Sequence, residues 1–414
     1  MEEGGAYVDF CLITTFYPPY HFGGDAAFVH QLAGELARRG HRVDVVHDVD
    51  AYHVLRPGET PLDGAPQDGV TVHRLRSPVG RLSPLATHQT GLPLFKSRLR
   101  RLLAENRYDV IHFHNASLIG PGAFAWGTGV KLYTIHEQWL VCPLHLLWRY
   151  DQRICDDRRC LPCCLRAGRP PQLWRGTGWF ERQLKRIDRF LAPTGFVLDK
   201  HRELGLNLPG TVLPNFVPRS QPAPAVDAPP RSRAYFLFVG RLVTTKGLQT
   251  LLPMFRDTRD VDLVVAGDGD EADALRAHAS DMPNVTFLGR VSADRLRPLY
   301  RHAIALVVPS VAYEASPLVA LEAFSEKTPV IAPDLGGLAE VVTEADGGLL
   351  YGGDGELRFA LDRMRHEPGL RQRLGENGYR AVRGPWSADA HIARYLDIVR
   401  TCAAAKRNNG GAPR

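Results

Sequence analysis

The 414-residue chain nowhere reaches the roughly 18 uninterrupted apolar residues that a membrane-spanning helix needs, which argues against a helical span. A basic leader is missing too. The start, MEEGGAYVDFCLITTFYPPY, has a short apolar stretch followed at once by aromatics and prolines, so it reads as a buried first strand rather than a signal peptide or anchor. Basic and aromatic residues do not interleave as they do in RNA- and DNA-binding modules, so no nucleic-acid partner is expected despite a net charge of +6. Arginine-rich patches such as 98–101 and 231–241 leave anionic small molecules, and peripheral contact with an anionic membrane, open. Cysteine is scarce outside one segment: of seven, five fall between Cys142 and Cys164. A cytoplasmic protein is expected, and in a reducing compartment such clustering points to a metal site or redox-sensitive thiols rather than disulfides.

The length suggests two domains of ordinary size. Apolar runs of strand length alternate with amphipathic helical stretches: Val8–Thr14, a loop, a helix over 26–39, then strands at Val43–Val46, Val70–Leu75, Val110–Phe113 and Val130–Ile135. That rhythm signals a doubly wound parallel sheet. It breaks at NFVPRSQPAPAVDAPPRSR, residues 215–233, where five prolines forbid a regular helix or inner strand. A second series then begins, with strands at Tyr235–Val239, Leu263–Ala266, Val285–Leu288, Ile304–Val308 and Val330–Ile331. The fold class expected is α/β, two Rossmann-like doubly wound domains facing a cleft: residues 1–214 and 234–385, joined by the Pro-rich linker 215–233. A helix over 386–402 is expected to cross back to the first domain, and the polar tail 403–414 to be disordered.

Chemistry concentrates at strand ends. In FLFVGRLVTTKGLQTLL the strand stops at Gly240 and a helix opens close to Lys246. Helix-start N–H groups favour anions, and Arg241 and Lys246 would complete a phosphate clamp; a solvated basic loop with a glycine turn is the plainer alternative. Further on, YEASPLVALEAF places Glu314 in a loop and Glu322 inside a helix, with Pro317 expected at the first helical position. Both carboxylates could face one crevice and accept from sugar hydroxyls, or Glu314 could be a helix-terminal charge and Glu322 part of a solvated face.

In this arrangement the chain resembles family 4 of the retaining, GT-B-fold glycosyltransferases. The resemblance runs through VGRL…KG at Gly240–Gly247, LVVAGDGDE at Leu263–Glu271, FLGRVS at Phe287–Ser292, the E-x7-E pair and PDLGGLAEVV at Pro333–Val342. FYPPYHFGGDAAFVHQLAGELARRGH resembles the family's opening loop, with Gly23 and Gly24 before the first helix. The resemblance implies transfer of a sugar from a nucleotide-diphosphate donor, with retention at the anomeric carbon. Arg241 and Lys246 would hold the diphosphate beside Gly240, Glu322 the ribose hydroxyls and Glu314 the transferred sugar. The Arg290–Val291 backbone would lie near the base, and His136 at the reaction centre; His114 reads as structural. The family's usual E-x-F-G-L is here Glu314-Ala315-Ser316-Pro317-Leu318, so Pro317 cannot donate a backbone hydrogen bond and Ser316 and Leu318 are the remaining donors.

No DxD-type motif precedes a nucleotide site, and no first-domain carboxylate stands out as a nucleophile. Metal-independent catalysis with no required cofactor is therefore expected, by front-side attack assisted by the leaving phosphate. Epimerase, phosphorylase-like and non-catalytic sugar-binding readings remain as alternatives, and the acceptor (small natural product, lipid carrier or polysaccharide) stays open. Cys142, Cys155, Cys160 and Cys163 are separated by twelve, four and two residues, with Cys164 spare. Four such thiolates suit a structural zinc; unbound thiols and redox or iron–sulfur use are the alternatives.

Overall fold

Alternate residues of a strand face opposite sides, so a strand apolar throughout must be covered on both. In the computed structural model, which describes residues 7–61, 67–150, 152–217, 231–258 and 260–410, the strand Asp9–Ile13 (β1) is of this kind from Phe10 onward. Phe10 and Leu12 enter one core and Cys11 and Ile13 another. Around it lie Arg42–Asp48 (β2), Val70–Leu75 (β3), Val110–Phe113 (β4) and Val130–Thr134 (β5). Trp148–Arg149 (β6) and Arg153–Ile154 (β7) form a separate antiparallel hairpin, and Arg189–Ala192 (β8) and Gly210–Val212 (β9) complete the sheet. Its order is β3-β2-β1-β4-β5-β8-β9, and every pairing is parallel.

The second sheet repeats the plan. Tyr235–Val239 (β10), Asp262–Ala266 (β11), Val285–Gly289 (β12), Leu306–Val307 (β13), Val330–Pro333 (β14) and Gly348–Tyr351 (β15) pair in the order β12-β11-β10-β13-β14-β15, again all parallel. Phe236 and Phe238 enter one core, Tyr235 and Leu237 the other. In each sheet the strand order reverses beside its first strand, and ligands of such sheets bind outside the carboxyl ends of the strands at that switch point.

Strands β8, β9, β15 and the hairpin escape a reading of apolar runs because they are short or only partly buried. Of the linker 215–233, residues 218–230 lie outside the described residues. Before them Phe216 is buried in the first domain's core; after them Arg231 and Arg233 pair with Asp262 at 3.5 and 3.2 Å.

The tail corrects an expectation. One helix runs through Ala388–Gly410, so 403–410 is helical rather than disordered; 411–414 lie outside the described residues. Ile392, Tyr395, Val399 and Cys402, at helical spacing, pack on Phe10 and Leu12 of the first domain. Beyond them Ala403 touches the same core, and the Lys406 ammonium donates to the Gly129 carbonyl at 2.8 Å and Asp188 at 3.2 Å. These anchors hold a polar sequence in the helix. No helix of the described residues is long and apolar enough to cross a membrane.

Candidate active site in the interdomain cleft

The loop after β10 approaches the loop after β13 because one residue between them has no side chain. Gly247 is left-handed, φ 74°, and a Cβ there would stand 1.7 Å from the Pro309 carbonyl oxygen. The Val311 N–H donates to Thr245 O at 3.0 Å, closing the contact. This brings Lys246 Nζ to 2.5 Å from Glu314 Oε1, which also accepts from Ser310 Oγ at 2.8 Å. Lys246 ends a single 3-10 turn, and the α-helix opens only at Leu248. Arg241, in the same loop as Lys246, is exposed.

Pro317 does not take the first helical position. It is extended, φ −70° and ψ 123°, and caps the helix Leu318–Ser325. The N–H groups of Leu318 and Val319 therefore form the free helix start, while Ser316 sits in the loop before it. Glu322 lies on that helix but does not join Glu314. Its carboxylate accepts from the Tyr300 hydroxyl at 2.8 Å, and burial raises its pKa above the ordinary range. Arg290 stands 3.7 Å from Asp268 and 3.7 Å from Glu59, and Arg56 pairs with Glu59 at 3.2 Å and Asp270 at 3.7 Å. These charges link the two domains at one side of the cleft. Val291 packs partly buried on the second domain's core.

Across the cleft, Gly23, φ 115°, caps the helix Gly24–Arg38, and the Leu318 side chain lies 3.6 Å from where a Gly24 Cβ would stand. The two helix starts thus face each other. Thr194 Oγ1 donates to Ala315 O at 3.0 Å, and Glu340 accepts from the Gly195 and Phe196 N–H groups at 2.6 and 2.7 Å.

The first domain's contribution is a row of imidazoles, His112 and His114 buried and His136 partly so. His112 bonds Thr134 Oγ1 at 2.8 Å and the Tyr395 hydroxyl at 2.9 Å. His114 Nδ1 and His136 Nε2 are 3.0 Å apart, while the buried His114 Nε2 has no partner. Burial holds His112 and His114 well below the ordinary imidazole pKa and brings His136 down to about 4, so all three are neutral near pH 7. An orphaned acceptor costs less than an orphaned N–H, so His114 donates through Nδ1. His136 then accepts at Nε2 and carries its proton on Nδ1. Beside it, Asn115 Nδ2 donates to Asp25 at 3.0 Å and Glu137 at 3.2 Å, and His145 Nδ1 lies 2.7 Å from Glu137.

Tyr300, Ser310, Asp25, Asn115, Glu137 and Glu340 went unremarked in the sequence. Tyr300 lies on the helix Ala293–Arg301, between two of the family-like blocks, and a pairing across 90 residues, such as Asp25 with Asn115, leaves no local signal.

Comparison with known proteins places both halves of the chain. The family model "Glycosyltransferase Family 4" matches residues 22–221, and "Glycosyl transferases group 1" matches 223–381. A D-inositol 3-phosphate glycosyltransferase of Acidothermus cellulolyticus is 28% identical over 431 aligned positions, covering 93% of this chain and 87% of that protein. Among solved structures, sucrose-phosphate synthase of Thermosynechococcus elongatus superposes with a TM-score of 0.72 at 23% identity, covering 96% of this chain and all of that one. Anabaena HepE, in complex with UDP and glucose, gives 0.66 at 16% identity, covering 95% and 100%. At these identities the two structures speak for the GT-B fold.

Proposed function

We propose that this chain, a glycosyltransferase of the GT-B fold, moves a sugar from a nucleotide-diphosphate donor to an acceptor seated against its first domain, with retention at the anomeric carbon. The observation that carries the reading is the junction of two loops at the carboxyl edge of the second sheet with the opening loop of the first domain. There Lys246, Glu314 and the helix start at Leu318 meet opposite Gly24. Negative charge builds on the leaving diphosphate as the glycosidic bond breaks. Lys246, the exposed Arg241 and the free N–H groups of Leu318 and Val319 would meet it. Ser316 offers a further donor in the same loop.

Glu314, freed when Lys246 turns to phosphate, would accept from hydroxyls of the transferred sugar. Glu322 would accept from the ribose, with Tyr300 fixing its carboxylate, and the Arg290–Val291 turn would border the base. The neutral His136 would present its Nδ1 proton towards the transferred sugar. Asp25 and Glu137, both tied to Asn115, would hold acceptor hydroxyls. Front-side attack with the leaving phosphate taking the acceptor's proton fits these roles, and no step calls on a divalent ion.

A thermal-shift screen over nucleotide sugars identifies the donor, since a bound donor raises apparent stability by mass action. Incubation of that donor with and without candidate acceptors, followed by NMR assignment of the product's anomeric configuration, tests the reaction. Inversion, sugar isomerisation without acceptor, or activity abolished by chelation and restored by Mg²⁺ counts against the reading.

A further inference from the structure

Between Cys142 and Cys164 the regular structure is the hairpin β6–β7 and the start of a seven-residue helix, Cys160–Arg166. Its apolar support is a small cluster of Val141, Cys142, Leu147 and Leu204. Within it, three residues other than glycine, His145, Leu147 and Tyr150, take φ of 73°, 48° and 55°. Side chains are strained there, and such residues persist only where the surroundings over-determine the backbone. The apolar contacts of this segment are few, so a cross-link is called for.

The thiols can supply it. Cys142, Cys155, Cys160, Cys163 and Cys164 line one cavity of about 20 Å³, room for a single water-sized atom, which needs at least roughly 10–15 Å³. None is in a disulfide. Arg149 and Arg159 line the same cavity. The Arg149 guanidinium is buried, 3.9 Å from Cys155 Sγ, and paired with Asp157. Four thiolates around a dication leave two net negative charges, which guanidinium groups so placed would offset.

We propose that Cys142, Cys155, Cys160 and Cys163 bind one thiophilic divalent ion of the zinc class as a structural cross-link of this segment. Among the described residues no three His, Cys, Asp or Glu side chains are grouped so as to hold a metal ion, so binding requires the thiols to reorient. Four ligands fill a tetrahedral site, so Cys164, buried on the same helix, is the spare thiol. The cross-link bears on the cleft. Cys142 N–H donates to Gln138 O at 2.8 Å, next to Glu137, and the same cluster packs on Tyr313, next to Glu314.

The full chain, purified reduced and without chelator, should carry about one zinc per molecule. Loading with Co²⁺ should give the absorption of a tetrahedral four-thiolate site, a readout on the unaltered chain. Cys163→Ser should lose the metal and be cleaved faster within the segment, whereas Cys164→Ser should keep it. Absence of zinc together with failure to take up Co²⁺ overturns the proposal. So do disulfides among these thiols in freshly reduced protein, an iron–sulfur chromophore, or metal lost from Cys164→Ser but kept in Cys163→Ser.

Discussion

Lys246 and Glu314 neutralise one another at 2.5 Å, so a bound diphosphate must draw the ammonium from the carboxylate. Charge on the leaving group grows towards the transition state, and the stabilisation by Lys246 should grow with it. Lys246→Ala should lower turnover by roughly 10²–10³ under saturating donor while affinity falls less, the range for removing one preorganised electrostatic group. Unchanged turnover would sink the phosphate clamp. Glu322 gives a different signature. Glu322→Gln keeps an oxygen for the Tyr300 hydroxyl but removes the charge, so donor and free nucleoside diphosphate should both bind about tenfold to a hundredfold more weakly, at roughly 1.5–3 kcal/mol for a charge-assisted bond. Because burial raises the pKa of Glu322, wild-type nucleotide affinity should fall on acidification before an ordinary glutamate would protonate, and Glu322→Gln should lack that pH dependence. Calorimetric titration across pH reads both. These residue types were legible from their order along the chain, but their partners were not: Glu322 meets Tyr300, and Lys246 meets Glu314, through contacts made 22 and 68 residues apart.

At the scale of elements, one of the contacts that tie the domains together falls on a helix start. The helix Gly195–Glu203 has no side-chain cap of its own; Glu340, from the other domain, accepts its first two N–H groups. Charge-assisted bonds of this kind are worth roughly 1.5–3 kcal/mol, less where water reaches them. Glu340→Ala should speed amide exchange at Gly195 and Phe196 by about tenfold, since 1.4 kcal/mol is a factor of ten. Exchange unchanged at both amides would show that the domains are held elsewhere. The strands long enough to bury both faces were legible as apolar runs. Strands β8, β9 and β15 open on Arg189, Gly210 and Gly348, which cuts their apolar runs to two or three residues, and they take their stability from neighbours already in place. The helix over 388–410 persists into a polar stretch for the same reason.

Across the whole molecule, the imidazoles offer a test of how the first domain is held. His136 and His391 are lowered by burial to about 4, and His112 and His114 well below the ordinary value near 6.5. A folded-state pKa below the unfolded one disfavours the protonated native form, so the unfolded state binds more protons between the two values. The associated stability is complete above pH 6.5 and is lost as pH falls towards 4. Urea midpoints should therefore drop through this window, and Tyr395→Phe, which removes the hydroxyl bonded to His112, should lower stability by about 1 kcal/mol at neutral pH. A flat midpoint between pH 7 and 5 would mean that the imidazoles reach water.

The sequence by itself determined the fold class. Alternating strand-length apolar runs and amphipathic helices suit few arrangements other than two doubly wound sheets, because each strand must be covered on both faces. It also located the glycine turns and the charged residues at strand ends, since turn chemistry and helix starts are local. Only the tertiary structure decided which of those charges meet. Lys246 reaches Glu314 because Gly247 admits the Pro309 carbonyl. The proton on His136 is set by His114, on another strand, and Glu340 closes a helix in the other domain. Each is a pairing between segments far apart in the chain, and such pairings follow from packing, which no local pattern records.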